Sequence, residues 1–133
     1  MKKETELWLG YADENFRSAE ILLDSHLYNP TLQNVQQAIE KYLKALMIEF
    51  GLGLRRTHSI SVLIADLEEG GLLIDTDEDD IYLIDSIYLA SKYPLGSVLP
   101  DFDPDEAICR RCIEIASFIQ KAVKAYLSYV VPV

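Results

Sequence analysis

Two lysines, a glutamate and a glutamine fall on one side of a predicted helix, and two arginines and a histidine follow it closely. In the stretch Gln36-Gln37-Ala38-Ile39-Glu40-Lys41-Tyr42-Leu43-Lys44-Ala45-Leu46, residues Gln37, Glu40, Lys41 and Lys44 share one side at helical spacing. Val35, Ile39, Leu43, Leu46 and Phe50 turn the other way, toward a core. Downstream, Arg55-Arg56-Thr57-His58 stands at the entrance of a further helix. Ammonium, guanidinium and imidazole groups all hold phosphate through charge-assisted hydrogen bonds. Convergence of Lys41, Lys44, Arg56 and His58 between the second and third helices would make a local anion site. Ion pairing competes for the same groups. Glu40 precedes Lys44 by one helical turn, a pairing worth about 0.2–0.5 kcal/mol on a helix surface. Arg55 or Arg56 is either solvated or grips a phosphate or carboxylate with both arms of its fork.

His58 has three available roles: general base, phosphate ligand, or first-turn polar residue of the third helix. Its nearest polar neighbours in sequence, Ser59, Ser61 and Asp66, form no recognisable nucleophilic triad, and Asp66 lies about two turns along the same helix. Lys92-Tyr93-Pro94 opens a long loop, where the proline biases Tyr93 toward an extended backbone that aims its ring across a groove. Cys109 and Cys112 are three apart in a predicted helix, a spacing that strains a disulfide and supplies only half of a zinc site, so they read as packing residues. The acidic run Asp77-Glu78-Asp79-Asp80 resembles a divalent-cation site but is explained more simply by the first turn of a helix. No metal is expected. No glycine-rich phosphate loop, dinucleotide fingerprint or helical pair of histidines occurs.

The elements that must position these groups are all helical. Trp8, Ala12, Asn15, Phe16, Ala19, Leu22 and Leu23 mark a first helix from Glu4 to about His26. Asn29-Pro30 then punctuates the chain, and a second helix runs from about Thr31 to Phe50, ended by Gly51 and Gly53. Thr57 or Ser59 caps a third helix carrying Ile60, Leu63, Ile64 and Leu67 and closed by Gly70-Gly71. A fourth starts at Asp75 or Thr76 and reaches Ser91. After a loop from Lys92 to Phe102, Asp103-Pro104-Asp105-Glu106 starts the last helix, with Asp103 as cap and Pro104 at its first position. Five helices with short joins make a single all-α bundle covering residues 1–133. Leu72, Leu73, Ile74, Leu99, the terminal valines and eight tyrosines exceed what one core needs, which favours self-association.

The chain has 133 residues, enough for one domain with its own core. Its net charge of −10, from 22 acids against 12 lysines and arginines, opposes an extended nucleic-acid surface but leaves room for one basic corner. No apolar run approaches the length of a membrane span, and Met1-Lys2-Lys3-Glu4-Thr5-Glu6 leads into no signal-peptide core, so a cytoplasmic protein with no membrane contact is expected.

The whole pattern resembles the HEPN domain family, the helical domains named for higher eukaryotes and prokaryotes nucleotide-binding. Trp8 followed by Ala12, Asp13 and Ala19 is similar to the family's first helix, and the Gln36–Leu46 stretch to its most distinctive segment. Arg56-Thr57-His58-Ser59-Ile60 resembles the opening of its third helix, and Ser91-Lys92-Tyr93-Pro94 with Glu106-Ala107 its Ala-Arg-Tyr-Pro region and last helix. The resemblance implies an up-and-down bundle of four to five helices that dimerises and partners a minimal nucleotidyltransferase in a toxin–antitoxin-like pair. It also implies ATP or another nucleotide as ligand, with no required cofactor.

Many members of that family are ribonucleases that carry arginine, four to six residues, then histidine. Here Arg17 to His26 is too long, Arg55 or Arg56 to His58 too short, and Lys92 stands where arginine often precedes Tyr-Pro. The expected function is therefore a non-enzymatic binding module, with Lys41, Lys44, Arg55, Arg56, His58, Lys92 and Tyr93 as candidate nucleotide or anion contacts and no catalytic residue. The alternative is a metal-independent ribonuclease with an atypical basic site around His58.

Overall fold

Helix α1 spans Lys3–Asp24, α2 Tyr28–Glu49, α3 Ile60–Glu69, α4 Glu78–Lys92 and α5 Glu106–Ser128. The structure, a computed structural model, describes residues 1–92 and 104–129, with side chains described for 1–89 and 104–129. The helices pack as an all-α, up-and-down bundle, with α2 touching each of the other four.

Local chemistry explains most of the boundaries, and three differ from expectation. α2 begins before Pro30, because a first-turn residue has no intrahelical partner for its amide and so tolerates proline. α4 begins at Glu78 rather than Asp75 or Thr76, with the Asp77 carboxylate accepting from the Asp79 amide at 2.8 Å. α5 begins at Glu106, because Asp105 is its cap and accepts from the Ile108 amide at 2.8 Å; Pro104 precedes the helix instead of starting it. Asp103 lies outside the described residues, as do Tyr93, Leu99 and the terminal valines. Ser59, not Thr57, caps α3 by accepting from the Val62 amide at 3.3 Å.

Gly51 and Gly71 take positive φ where α2 and α3 stop, as glycine does without strain. Burial then places α2 at the centre. Ile39, Tyr42, Leu43 and Leu46 are fully buried, and 13 of its 22 residues are buried. Phe50, expected in the core, is 41% exposed because it lies beyond the last turn of α2. Leu72 and Ile74 are buried while Leu73 is exposed, so only part of the anticipated apolar surplus reaches the surface.

Cys109 and Cys112 both sit in the core, the first with its Sγ 3.6 Å from the Tyr28 carbonyl oxygen. Burial, reinforced by neighbouring acids, pushes the Cys109 thiol up to about 11. Burial likewise pushes Cys112 up to about 12. Both are protonated packing groups at neutral pH.

Candidate functional site

The acid of the Gln36–Leu46 stretch organises everything around it. Glu40 faces inward from α2, and its side chain is 6% exposed. A buried carboxylate must be paired and hydrogen-bonded to be tolerated. Its Oε2 receives the Lys44 ammonium at 3.1 Å, and that lysine side chain is itself only 8% exposed. Its Oε1 receives His58 Nδ1 at 2.9 Å and Gln36 Nε2 at 3.3 Å. The Glu40–Lys44 pair expected on a surface is therefore a core pair.

A carboxylate oxygen only accepts, so Nδ1 of this imidazole is the donor to Glu40. The ring is further fixed by stacking on Tyr88 of α4, with centroids 4.5 Å apart and planes 19° from parallel. Gln36 also reaches the His58 carbonyl oxygen at 3.4 Å, tying the backbone before α3 to α2. The result is an oriented imidazole on a half-exposed side chain. Next to it, Gln33, Gln36, Gln37, Ile87 and Tyr88 line a recess of about 260 Å³. Gln37 donates to Gln36 Oε1 at 2.8 Å. Among the described residues, the Gln33 amide and the Gln37 carbonyl have no protein partner.

The other sequence candidates scatter. Lys41 and Lys44 both lie along α1, as three-residue spacing predicts, but with different partners. Lys41 donates to Asn15 Oδ1 at 2.7 Å beside the Tyr11 ring, whereas Lys44 sits over Trp8, 5.8 Å from the ring centroid. Arg55 turns away to hold Asp66 with both arms of its fork, at 2.8 and 3.1 Å. Arg56 is exposed and makes no ion pair or hydrogen bond among the described residues. Lys92 ends α4 with its side chain outside the described residues, and Tyr93 lies outside them altogether. Lys44 and His58 are thus brought together, through Glu40, while Lys41 and Arg55 are engaged elsewhere.

Sequence reasoning missed the partners of His58. Glu40 is 18 residues before it and Tyr88 is on another helix, so no local spacing announces them. It also missed a second polar cluster joining α1, α2 and α5. The buried Tyr42 hydroxyl donates to Asp13 and accepts from Gln120 Nε2 at 2.8 Å, and Lys124 pairs with Asp13 at 3.2 Å. Burial would raise the Asp13 carboxyl, but the hydrogen bonds from Tyr42, Lys124 and Gln120 outweigh it and hold it below the usual aspartate value. The same burial and the same carboxylate push the Tyr42 hydroxyl well above an ordinary tyrosine.

The acidic run is accounted for locally: Asp77 caps α4, and Asp80 pairs with Arg111 of α5. Among the described residues no group of three or more His, Cys, Asp or Glu side chains is placed to hold a metal ion, and no helix is long and apolar enough to cross a membrane.

Three comparisons bear on this geometry. The HEPN domain model matches residues 5–126. The crystal structure of TT1696 from Thermus thermophilus is similar at 26% identity and a TM-score of 0.74, over 93% of this chain and 98% of that one. The crystal structure of ST0689, an archaeal HEPN homologue, shares the fold at 24% identity and a TM-score of 0.63, over 96% of this chain and 99% of that one. None of the curated proteins matches the chain.

Proposed function

This chain belongs to the HEPN domain family, and from that premise we propose that it is a non-enzymatic module that binds a mononucleotide beside His58. The observation that carries the reading is the held imidazole: Glu40 fixes its ring, and Gln36 and Tyr88, which both touch His58, line a recess with Gln33 and Gln37. A planar heterocycle in that recess meets the Gln33 amide and the Gln37 carbonyl, which supply the few oriented polar groups that small-ligand sites use. The phosphates then lie toward His58 and the exposed Arg56, two residues before it. Lys44 plays an indirect part, balancing Glu40 so that the carboxylate does not repel an anion. The net charge of −10 disfavours a long polyanion over a mononucleotide.

The same module acts as a homodimer and as the partner of a minimal nucleotidyltransferase. Exposed Leu7, Tyr11 and Ile21 on one side of α1 support a self-complementary surface.

A carboxylate-held histidine is also how a general base is built, which favours ribonuclease activity as the second reading. Cleavage also needs a group that protonates the leaving oxygen; Arg56 serves only to stabilise phosphate charge, and the neighbouring lysine is buried against Glu40. RNA incubated with the purified protein is therefore expected to stay intact. Cleavage that co-purifies with the protein and disappears in His58→Ala would establish the second reading instead.

The chain has two histidines, which gives a direct test. Titration with ATP or GTP at low salt, followed by the imidazole NMR signals, should shift His58 and leave His26 in place. Unmoved His58 signals at saturating nucleotide would refute the reading.

A further inference from the structure

A second concave surface lies between α3 and α4, sharing no lining residue with the His58 recess. It is a groove of about 490 Å³. Two helical stripes form its walls: Ser61, Ile64, Ala65 and Glu68 from α3, and Glu78, Ile81, Tyr82 and Asp85 from α4. Both stripes follow the three-and-four spacing that puts residues on one side of a helix. Leu73 and Ile74 of the connecting segment also line it, and the Tyr126 hydroxyl pins that segment by donating to the Leu73 carbonyl oxygen at 2.9 Å.

Apolar groups and charge meet in this groove as they do in a protein interface. Ile64, Ala65, Leu73, Ile81 and Tyr82 supply the apolar surface, and Leu73 and Tyr82 are 56% and 73% exposed. Glu68, Asp75 and Glu78 are exposed acids of the same lining. Asp85 is occupied in structure: its Oδ1 accepts from the Ile60 amide at 2.6 Å and its Oδ2 from the Ser61 amide at 3.3 Å, holding the start of α3 against α4. No lysine or arginine is among the described residues that line the groove. The charge lining it is therefore uniformly negative.

We propose that this groove docks a basic amphipathic helix of a partner protein. Charge complementarity selects that occupant. An apolar stripe on the incoming helix covers Leu73 and Tyr82, while flanking lysines and arginines meet Glu68, Asp75 and Glu78. A nucleic acid is repelled by the same acids. A second copy of this chain also brings a net charge of −10.

The probe is a designed leucine–lysine peptide with one apolar face, compared with a scrambled peptide of identical composition and charge. Fluorescence anisotropy at low salt should show the amphipathic peptide binding about tenfold more tightly than the scramble, with affinity falling steeply as salt is raised. Tyr82→Ala and Glu68→Lys, both at exposed positions and checked for folding by circular dichroism, should each weaken it about tenfold. Equal binding of the two peptides, or unchanged binding by both variants, would overturn the proposal. So would sedimentation showing a dimer of the wild-type chain that Tyr82→Ala dissolves, because the groove would then be occupied by a second copy.

Discussion

Glu40 serves three donors at once, from Lys44, His58 and Gln36, so its loss is felt both in stability and at the candidate site. Glu40→Ala strands the Lys44 ammonium in the core, and unfolding by urea should show a loss of about 3–5 kcal/mol. Combining Glu40→Gln with Lys44→Met removes both charges and should restore most of that stability, because a pair of buried charges contributes little over well-packed neutral groups. The Tyr42 cluster makes a separate prediction. Tyr42→Phe removes a buried hydrogen bond to a carboxylate and should cost about 1.5–3 kcal/mol at neutral pH. Asp13 is held below its ordinary value, so its contribution is present above the aspartate range and is lost as pH falls through the lowered value. The stability difference between wild type and Tyr42→Phe should therefore shrink in acid. A gap that stays constant to the lowest pH at which both fold would separate Tyr42 from Asp13. Lys44 and His58 were legible as chemistry-bearing residues by type alone. Glu40 was read only as a surface partner of Lys44, because four-residue spacing looks the same on a solvated helix and in a core.

Helix stops follow one geometry three times in this bundle. The residue past the C-cap takes positive φ, and the following amide reaches back into the last turn: Leu27 to Leu22, Leu52 to Met47 and Leu72 to Leu67, at 2.8–3.0 Å. Gly51 and Gly71 occupy the second and third of these positions, but His26 occupies the first at φ 59°. A side chain with a Cβ is strained there by about 1–2 kcal/mol, offset in part by the greater unfolded-state freedom of glycine. His26→Gly should therefore stabilise the protein by up to about 1 kcal/mol, read as a raised urea midpoint at unchanged slope. A lowered midpoint would mean that the exposed contact between His26 and Tyr28 outweighs the backbone strain. The two glycine stops were legible because glycine marks this conformation, whereas histidine does not. The start of α2 was misplaced for a related reason: proline reads as a break, yet within a first turn it breaks nothing.

The bundle leaves Leu7, Tyr11 and Ile21 exposed along α1, and such a face is expected to be covered by a second copy. Sedimentation at micromolar concentration should give a dimer, with an interface above about 1,000 Å². Leu7→Glu with Ile21→Glu should convert it to a folded monomer, and a wild-type chain that sediments only as monomer with no other protein present would refute the dimer. Fold class was legible throughout, since apolar spacing alone marks five helices and the core they share. The arrangement of the basic groups was not, because convergence depends on which neighbour each side chain finds across the bundle. Lys41 found Asn15, and Arg55 found Asp66. That division makes nucleotide binding sharply testable by calorimetry of ATP at low salt with the wild type, His58→Ala, Arg56→Ala and Lys41→Ala. Binding at a recess beside His58 predicts that His58→Ala and Arg56→Ala each weaken affinity about tenfold, the loss of one charge-assisted contact, while Lys41→Ala leaves it unchanged. No detectable heat with the wild type, or affinity indifferent to His58 and Arg56, would contradict it.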